Sequence, residues 1–186
     1  MIVLVGYASE HGSTREIAER IASRLEGAGY RVECRSLEEG DPGNPTEWDA
    51  CVLGSAVHNR DWLPGARRWL ERYTAELSRM PVWMFTVGMS RALGYRLRAR
   101  AEEEQRRRIV EALRERIHPV EHRVFSGKVH PDHLNSVGRT LFRAMGGRYG
   151  DYRDWPVIEA WADSVADRLA ASSTGRRTSP GGGGGR

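Results

Sequence analysis

Two hydrophobic periods alternate along this chain, and that alternation limits the folds open to it. Ile2 to Tyr7 is a near-continuous apolar run, the pattern of a strand covered on both faces. From Thr14 to Ala28 the period changes: Ile17, Ile21 and Leu25 recur every four residues beside Ala18 and Ala22, giving a helix with one buried stripe. Gly27 and Gly29 close that helix, and Tyr30 to Leu37 resumes strand character with Val32 and Cys34 inward. Glu39 to Glu47, rich in proline and glycine, reads as a loop, and Ala50 to Gly54 as the third strand. Trp62, Ala66, Trp69, Leu70, Tyr73 and Leu77 trace one face of a second helix, with Pro64 in its first turn. Val82 to Val87 is the fourth strand, Arg96 to Ile117 a long helix, and Val120 to Phe125 the fifth strand. A further helix carrying Leu134, Val137, Leu141, Phe142 and Met145 stops at Gly146-Gly147. A last one, opened by Asp154 and Pro156, buries Val157, Ile158, Trp161, Ala162, Val165 and Leu169. Strands alternating with helices predict an α/β fold, a doubly wound five-stranded parallel sheet with helices on both faces.

At 186 residues the chain holds one domain with a substantial core, expected over residues 1–171, and residues 172–186 read as a flexible Gly/Ser/Arg tail. The net charge of +4 is concentrated there: the tail carries Arg176, Arg177 and Arg186 and no acid, leaving about +1 for residues 1–171. The strongest charge run, Glu102 to Arg108, sets acids three and four residues before arginines, the spacing of a solvated helix face rather than a nucleic-acid patch. No nucleic-acid partner is expected. No apolar run approaches the ~20 residues that span a bilayer. Met1 to Val5 lacks a basic leader and reads as strand rather than signal peptide. Cys34 and Cys51 lack metal-ligand spacing and sit beside apolar residues, as buried thiols in a reducing cytoplasm would. His130 and His133 stand three apart with only Asp132 as a nearby carboxylate, so no metal site is expected.

A doubly wound sheet binds its ligand beyond the carboxyl ends of its strands, where strand order reverses, so the loops after Tyr7, Gly54 and Val87 should converge. The first, Ser9-Glu10-His11-Gly12-Ser13-Thr14, leads into a helix N-terminus, whose free N–H groups and partial positive charge suit a phosphate. Ser9, Ser13 and Thr14 add hydroxyls, and Gly12 permits close backbone approach. No lysine follows Gly12, as a Walker loop requires, and no G-x-G-x-x-G is present, as a dinucleotide fold requires. A terminal monophosphate fits this hydroxyl-lined loop; so does a plain strand-to-helix turn with Ser13 or Thr14 as N-cap. There is no G-x-S-x-G elbow and no reactive cysteine, and no catalytic residue is singled out.

On these residues the chain resembles the flavodoxin family, whose phosphate loop follows T/S-x-T-G-x-T after the first strand. Ser9, Gly12 and Thr14 match, while His11 replaces a threonine and exchanges its hydroxyl for an imidazole N–H. The resemblance implies a flavodoxin-like sheet of strand order 2-1-3-4-5 and flavin mononucleotide (FMN) as cofactor, its phosphate held by Ser9, Glu10, His11, Gly12, Ser13 and Thr14. Ser55, Ala56, Val57 and His58 would then cradle the isoalloxazine ring, with Thr86, Val87 and Gly88 on its other side. Trp62 either covers the ring or packs the following helix. The third loop, Thr86 to Ser90, lacks the shielding tyrosine of many small flavodoxins, although Tyr95 is near in sequence.

A narrower resemblance rests on Gly54-Ser55-Ala56-Val57, Trp62, Met80-Pro81, Phe125-Ser126-Gly127, Met145-Gly146-Gly147 and Asp151-Tyr152-Arg153-Asp154-Trp155. These are similar to the flavodoxin subfamily that contains the menaquinone-dependent protoporphyrinogen oxidase. That likeness implies an inserted segment at 128–152, a porphyrinogen substrate with a quinone acceptor in heme biosynthesis, and weak contact with the inner membrane face. The family at large implies a redox partner protein instead. The insert here is basic, with Lys128, Arg139, Arg143 and Arg148, but poorer in aromatics than the oxidase's.

Overall fold

The computed structural model describes residues 1–58, 61–88, 115–133, 136–144 and 146–177. Strands β1 (Ile2–Ala8), β2 (Arg31–Ser36), β3 (Ala50–His58), β5 (Val82–Gly88) and β6 (Glu121–Ser126) form one parallel sheet in the order β2-β1-β3-β5-β6. A two-residue strand, β4 (Asp61–Trp62), pairs antiparallel with the end of β3. Setting β4 aside, the five parallel strands keep the expected order.

Alternate residues of each strand face opposite sides of the sheet, and each side has its own core. Val3, Val5, Val52, Phe85 and Phe125 meet Ile17, Ile21 and Leu25 of helix α1 (Ser13–Gly27), and Ile158, Trp161 and Val165 of helix α5 (Trp155–Arg177). Leu4, Leu53 and Met84 face the other way. They pack against Trp48, Trp69, Leu70 and Leu77, the last three from α2 (Pro64–Arg72) and α3 (Thr74–Leu77), and against Ile117. The insert builds a third, small cluster. Its short strands β7 (Lys128–Val129) and β8 (Gly150–Asp151) pair antiparallel, and helix α4 (Ser136–Ala144) lays Phe142 on Val129 beside Tyr149 and Tyr152.

Several expectations change. The third strand does not stop at Gly54 but runs to His58 and returns as β4, so Ser55 to Val57 lie in a strand and Trp62 belongs to its hairpin rather than to a helix. The second helix breaks at Tyr73 (φ −112°) into α2 and α3. Cys34 is exposed on β2, whereas Cys51 is buried and its thiol is pushed up to about 12 by burial. Helix α5 continues to Arg177, past the expected domain end at Ala171. Residues 178–186 of the tail, Asn59-Arg60, Met89-Ser90, Tyr95, the helix expected from Arg96 as far as residue 114, Leu134 and Met145 lie outside the described residues. Among the described residues no helix is long and apolar enough to cross a membrane.

Candidate functional site

Strand register brings the carboxyl ends together. Ala8 pairs with Ser55, Ser55 with Thr86 and Thr86 with Val124; one step further, Ala56 pairs with Val87 and Val87 with Phe125. Ser9 to Gly12 therefore leave β1 beside the β3 hairpin and the ends of β5 and β6. Gly12 makes the turn into α1 with φ +81°, a left-handed conformation that glycine adopts without a steric penalty.

The N-terminus of α1 differs from those of the other long helices on the sheet. At α2, Glu38 reaches in from the loop after β2 and its Oε1 accepts the Gly65 and Ala66 N–H groups (2.6 and 3.3 Å). At α5, Asp154 Oδ1 accepts the Val157 N–H at 3.4 Å. At α1 the N-cap is Gly12 and no side-chain cap is found among the described residues, so neither Ser13 nor Thr14 is the N-cap. Three hydroxyl residues lie in this loop and the first turn of α1. Thr14 is 1% exposed and Ser13 is buried. Ser9 Oγ is shut off from solvent with no hydrogen-bond partner, and a buried hydroxyl left unbonded costs about 1–3 kcal/mol. Uncapped amides plus an unused hydroxyl suit an acceptor-rich anion. Glu10 and His11, in the same loop, are exposed, with the imidazole Nε2 3.9 Å from the Glu10 carboxylate.

At the ends of β3 and β5 the hydroxyls are already in use. Ser55 Oγ donates to the Ala56 carbonyl (2.8 Å) and accepts the Leu63 N–H (3.0 Å), tying β3 to the start of α2. Thr86 Oγ1 accepts the Trp62 indole N–H (2.9 Å) and lies 2.9 Å from His122 Nε2. Both residues are fully buried, so what they do for any ligand passes through the backbone and through Trp62. Trp62 is buried, which takes it as packing rather than as an exposed cover. Ala56 and Val57 remain partly exposed at the end of β3, and Val87 and Gly88 are buried at the end of β5. His58 closes β3 opposite Asp61. His122 was not foreseen as part of this set. It stands between Glu121 and Arg123 in a mostly polar strand, where nothing in the sequence singles it out.

A second unforeseen group ties the insert to the first turn of α1. The Lys128 N–H donates to Ser13 Oγ at 3.0 Å. Lys128 Nζ lies 3.0 Å from both carboxylate oxygens of Glu16, and Arg153 Nη1 donates to the same carboxylate. Arg153, 5% exposed along its side chain, also binds Asp151 and lies over the Trp155 ring. These bonds hold the Glu16 carboxyl below its ordinary range, through Arg153 first and then Lys128. Gly127 permits the approach: a Cβ there would stand 2.8 Å from Ser13 Oγ and 2.9 Å from Val87 Cγ1.

The flavodoxin domain family matches residues 4–154 of the chain. No curated protein sequence matches it. Among solved structures, a flavodoxin from the domain Archaea is 15% identical, with 91% of this chain and 99% of that one covered at a TM-score of 0.53. A flavodoxin of Streptococcus pneumonia TIGR4 is 14% identical, with 92% and 99% covered and a TM-score of 0.53. The rubredoxin oxygen:oxidoreductase of Desulfovibrio gigas is 14% identical, with 91% of this chain but 36% of that longer one covered, at a TM-score of 0.52. Identities this low speak for the fold; the family match speaks for the domain. The chain belongs to the flavodoxin domain family, an FMN-binding domain of electron transfer.

Proposed function

We propose that this protein is an FMN-dependent oxidoreductase whose α1 N-terminus holds the cofactor phosphate and whose β3 and β5 ends hold the ring. The observation that carries the reading is the unbonded, buried Ser9 hydroxyl in the loop that leads into α1, a helix whose N-terminus no side chain caps among the described residues. When bound, the flavin supplies the redox chemistry. The chain's own contribution is positional. The Gly12 turn aims the α1 amides, Thr14 and Ser13 offer hydroxyls, and the Ser55–Leu63 and Trp62–Thr86 bonds stiffen the ends of β3 and β5 on which a ring would rest.

The test is spectroscopic. The purified protein, alone or after added FMN, is expected to be yellow with flavin absorbance bands. Thr14→Ala is expected to weaken FMN binding by roughly 1–2 kcal/mol through one lost hydroxyl contact. A fully folded chain that stays colourless in excess FMN would leave only a flavodoxin fold acting as a binding module.

A second reading, a protoporphyrinogen oxidase-like enzyme with a quinone acceptor, is favoured by the insert. It presents Arg139, Arg143 and Arg148 with the exposed Val137 and Leu141, a basic and apolar surface suited to a carboxylate-bearing macrocycle. Oxidation of protoporphyrinogen with a menaquinone analogue supports that reading. Reduction by a flavodoxin reductase without such turnover supports exchange with a redox partner protein.

A further inference from the structure

Glu16 is an awkward residue to find one turn into a helix that receives a phosphate. Its carboxylate would repel a dianion, and the repulsion is strongest where solvent screens it least. The fold answers with two cations, both from outside α1. Lys128 Nζ takes both oxygens of Glu16, and Arg153 takes one of them again. The same stretch of chain fixes the neighbouring hydroxyl. Ser13 Oγ accepts the Lys128 N–H, so its own hydrogen is left to donate elsewhere. Behind it Gly127 is clamped from two sides, its N–H donating to the Gly88 carbonyl (3.0 Å) and its carbonyl accepting the Tyr152 N–H (3.2 Å).

We propose that Lys128 and Arg153 are positioning residues for the cofactor phosphate, fixing Ser13 and neutralising Glu16, so that the ends of the insert belong to the FMN site without touching FMN. The proposal rests on the FMN reading above. It makes a phosphate-specific claim that a purely structural role does not make: what Lys128 contributes is felt by FMN and not by riboflavin, which has the same ring and no phosphate.

Dissociation constants of FMN and riboflavin, read from quenching of flavin fluorescence, are to be compared in the full chain and in Lys128→Met. The variant keeps the aliphatic stem and loses only the charge. Its FMN affinity is expected to fall by about three- to tenfold at low salt, the loss shrinking as ionic strength rises, with riboflavin unchanged within about twofold. Glu16→Gln added to Lys128→Met should return FMN affinity to the wild-type value, because the carboxylate charge that Lys128 had offset is then gone as well. Glu16→Gln alone should bind FMN at least as tightly as the wild type. Equal loss of both flavins, or an unchanged FMN constant in Lys128→Met, would overturn the proposal, as would failure of the double variant to recover. Should Lys128→Met misfold, weaker FMN binding by Glu16→Gln alone overturns it equally. A wild-type chain that binds neither flavin removes the cofactor reading itself, a different result from a wild type that binds FMN beside an unaffected variant.

Discussion

Ser9, Ser13, Ser55 and Thr86 look alike as hydroxyl residues near strand ends, yet their bonding separates them. Ser55 and Thr86 spend their oxygens inside the protein, Ser13 accepts one backbone N–H, and Ser9 Oγ is buried with nothing. The difference predicts opposite signs for one substitution. Ser9→Ala removes an unsatisfied buried group, so the flavin-free protein should keep its stability or gain up to about 1 kcal/mol. FMN, having lost a donor, should bind more weakly. Urea midpoints of the flavin-free protein and FMN titrations give the two numbers; a destabilised apoprotein with unchanged FMN affinity would remove Ser9 from the site. The sequence could name all four hydroxyls but not sort them, because sorting depends on partners such as Leu63, Trp62 and Lys128 that only the folded register supplies. His11 illustrates the converse. Its place in the motif singled it out, and the fold leaves it exposed beside Glu10.

Helix termini carry the argument at the next scale. Glu38 bonds two N–H groups of α2 across 27 and 28 residues of sequence, a cap that no local S/T-x-x-E pattern could announce. Glu38→Ala should therefore cost about 1 kcal/mol of stability, within the ~0.5–2 kcal/mol of a lost cap, while leaving FMN affinity unaltered. Thermal denaturation and a flavin titration check both halves, and an FMN affinity that moved with Glu38 would mean the α2 terminus shares in the site. The strands and α1 were legible because burial imposes a period of 2 or of 3.6 that survives in the residues themselves. The β3 hairpin was not. Its continuation, Ser55-Ala56-Val57-His58, leads into Asn59-Arg60-Asp61, a polar run that reads as loop until backbone pairing of Val57 with Trp62 is seen. The break at Tyr73 was hidden for the opposite reason: apolar spacing continues smoothly from α2 to Leu77 although the backbone does not. His118, at φ +52°, is a further unread terminus, occupying a left-handed position where glycine is usual after the helical residues 115–117.

Across the whole molecule the two faces of the sheet have large, separate cores, whereas the insert has Val129 and Phe142 with two partly buried tyrosines. A cluster that size cannot offset the chain entropy of ordering some two dozen residues at about 1–2 kcal/mol each, so the insert depends on its attachments to α1 and α5. Prominent among those attachments are the bonds of Glu16 in α1 to Lys128 and to Arg153, which is itself paired with Asp151 of the insert. Both carboxyls are held below their ordinary range, chiefly by hydrogen bonds from Arg153. Groups depressed in the folded state stabilise it above their unfolded values, near pH 4, and that stability is lost as pH falls through the folded values. Acid should accordingly loosen the insert before it unfolds the sheet. Hydrogen exchange followed by mass spectrometry from pH 6 down to about pH 3, corrected for the intrinsic pH dependence of exchange, would show residues 128–152 losing protection ahead of β1, β3 and β5. Because Ser13 and Glu16 join the insert to the phosphate loop, FMN should shift that release to lower pH, whereas riboflavin should shift it less. Simultaneous loss of protection in the insert and sheet would show instead that the two form one cooperative unit. An insert released early but indifferent to FMN would mean that the ionic staple holds the segment without speaking to the cofactor.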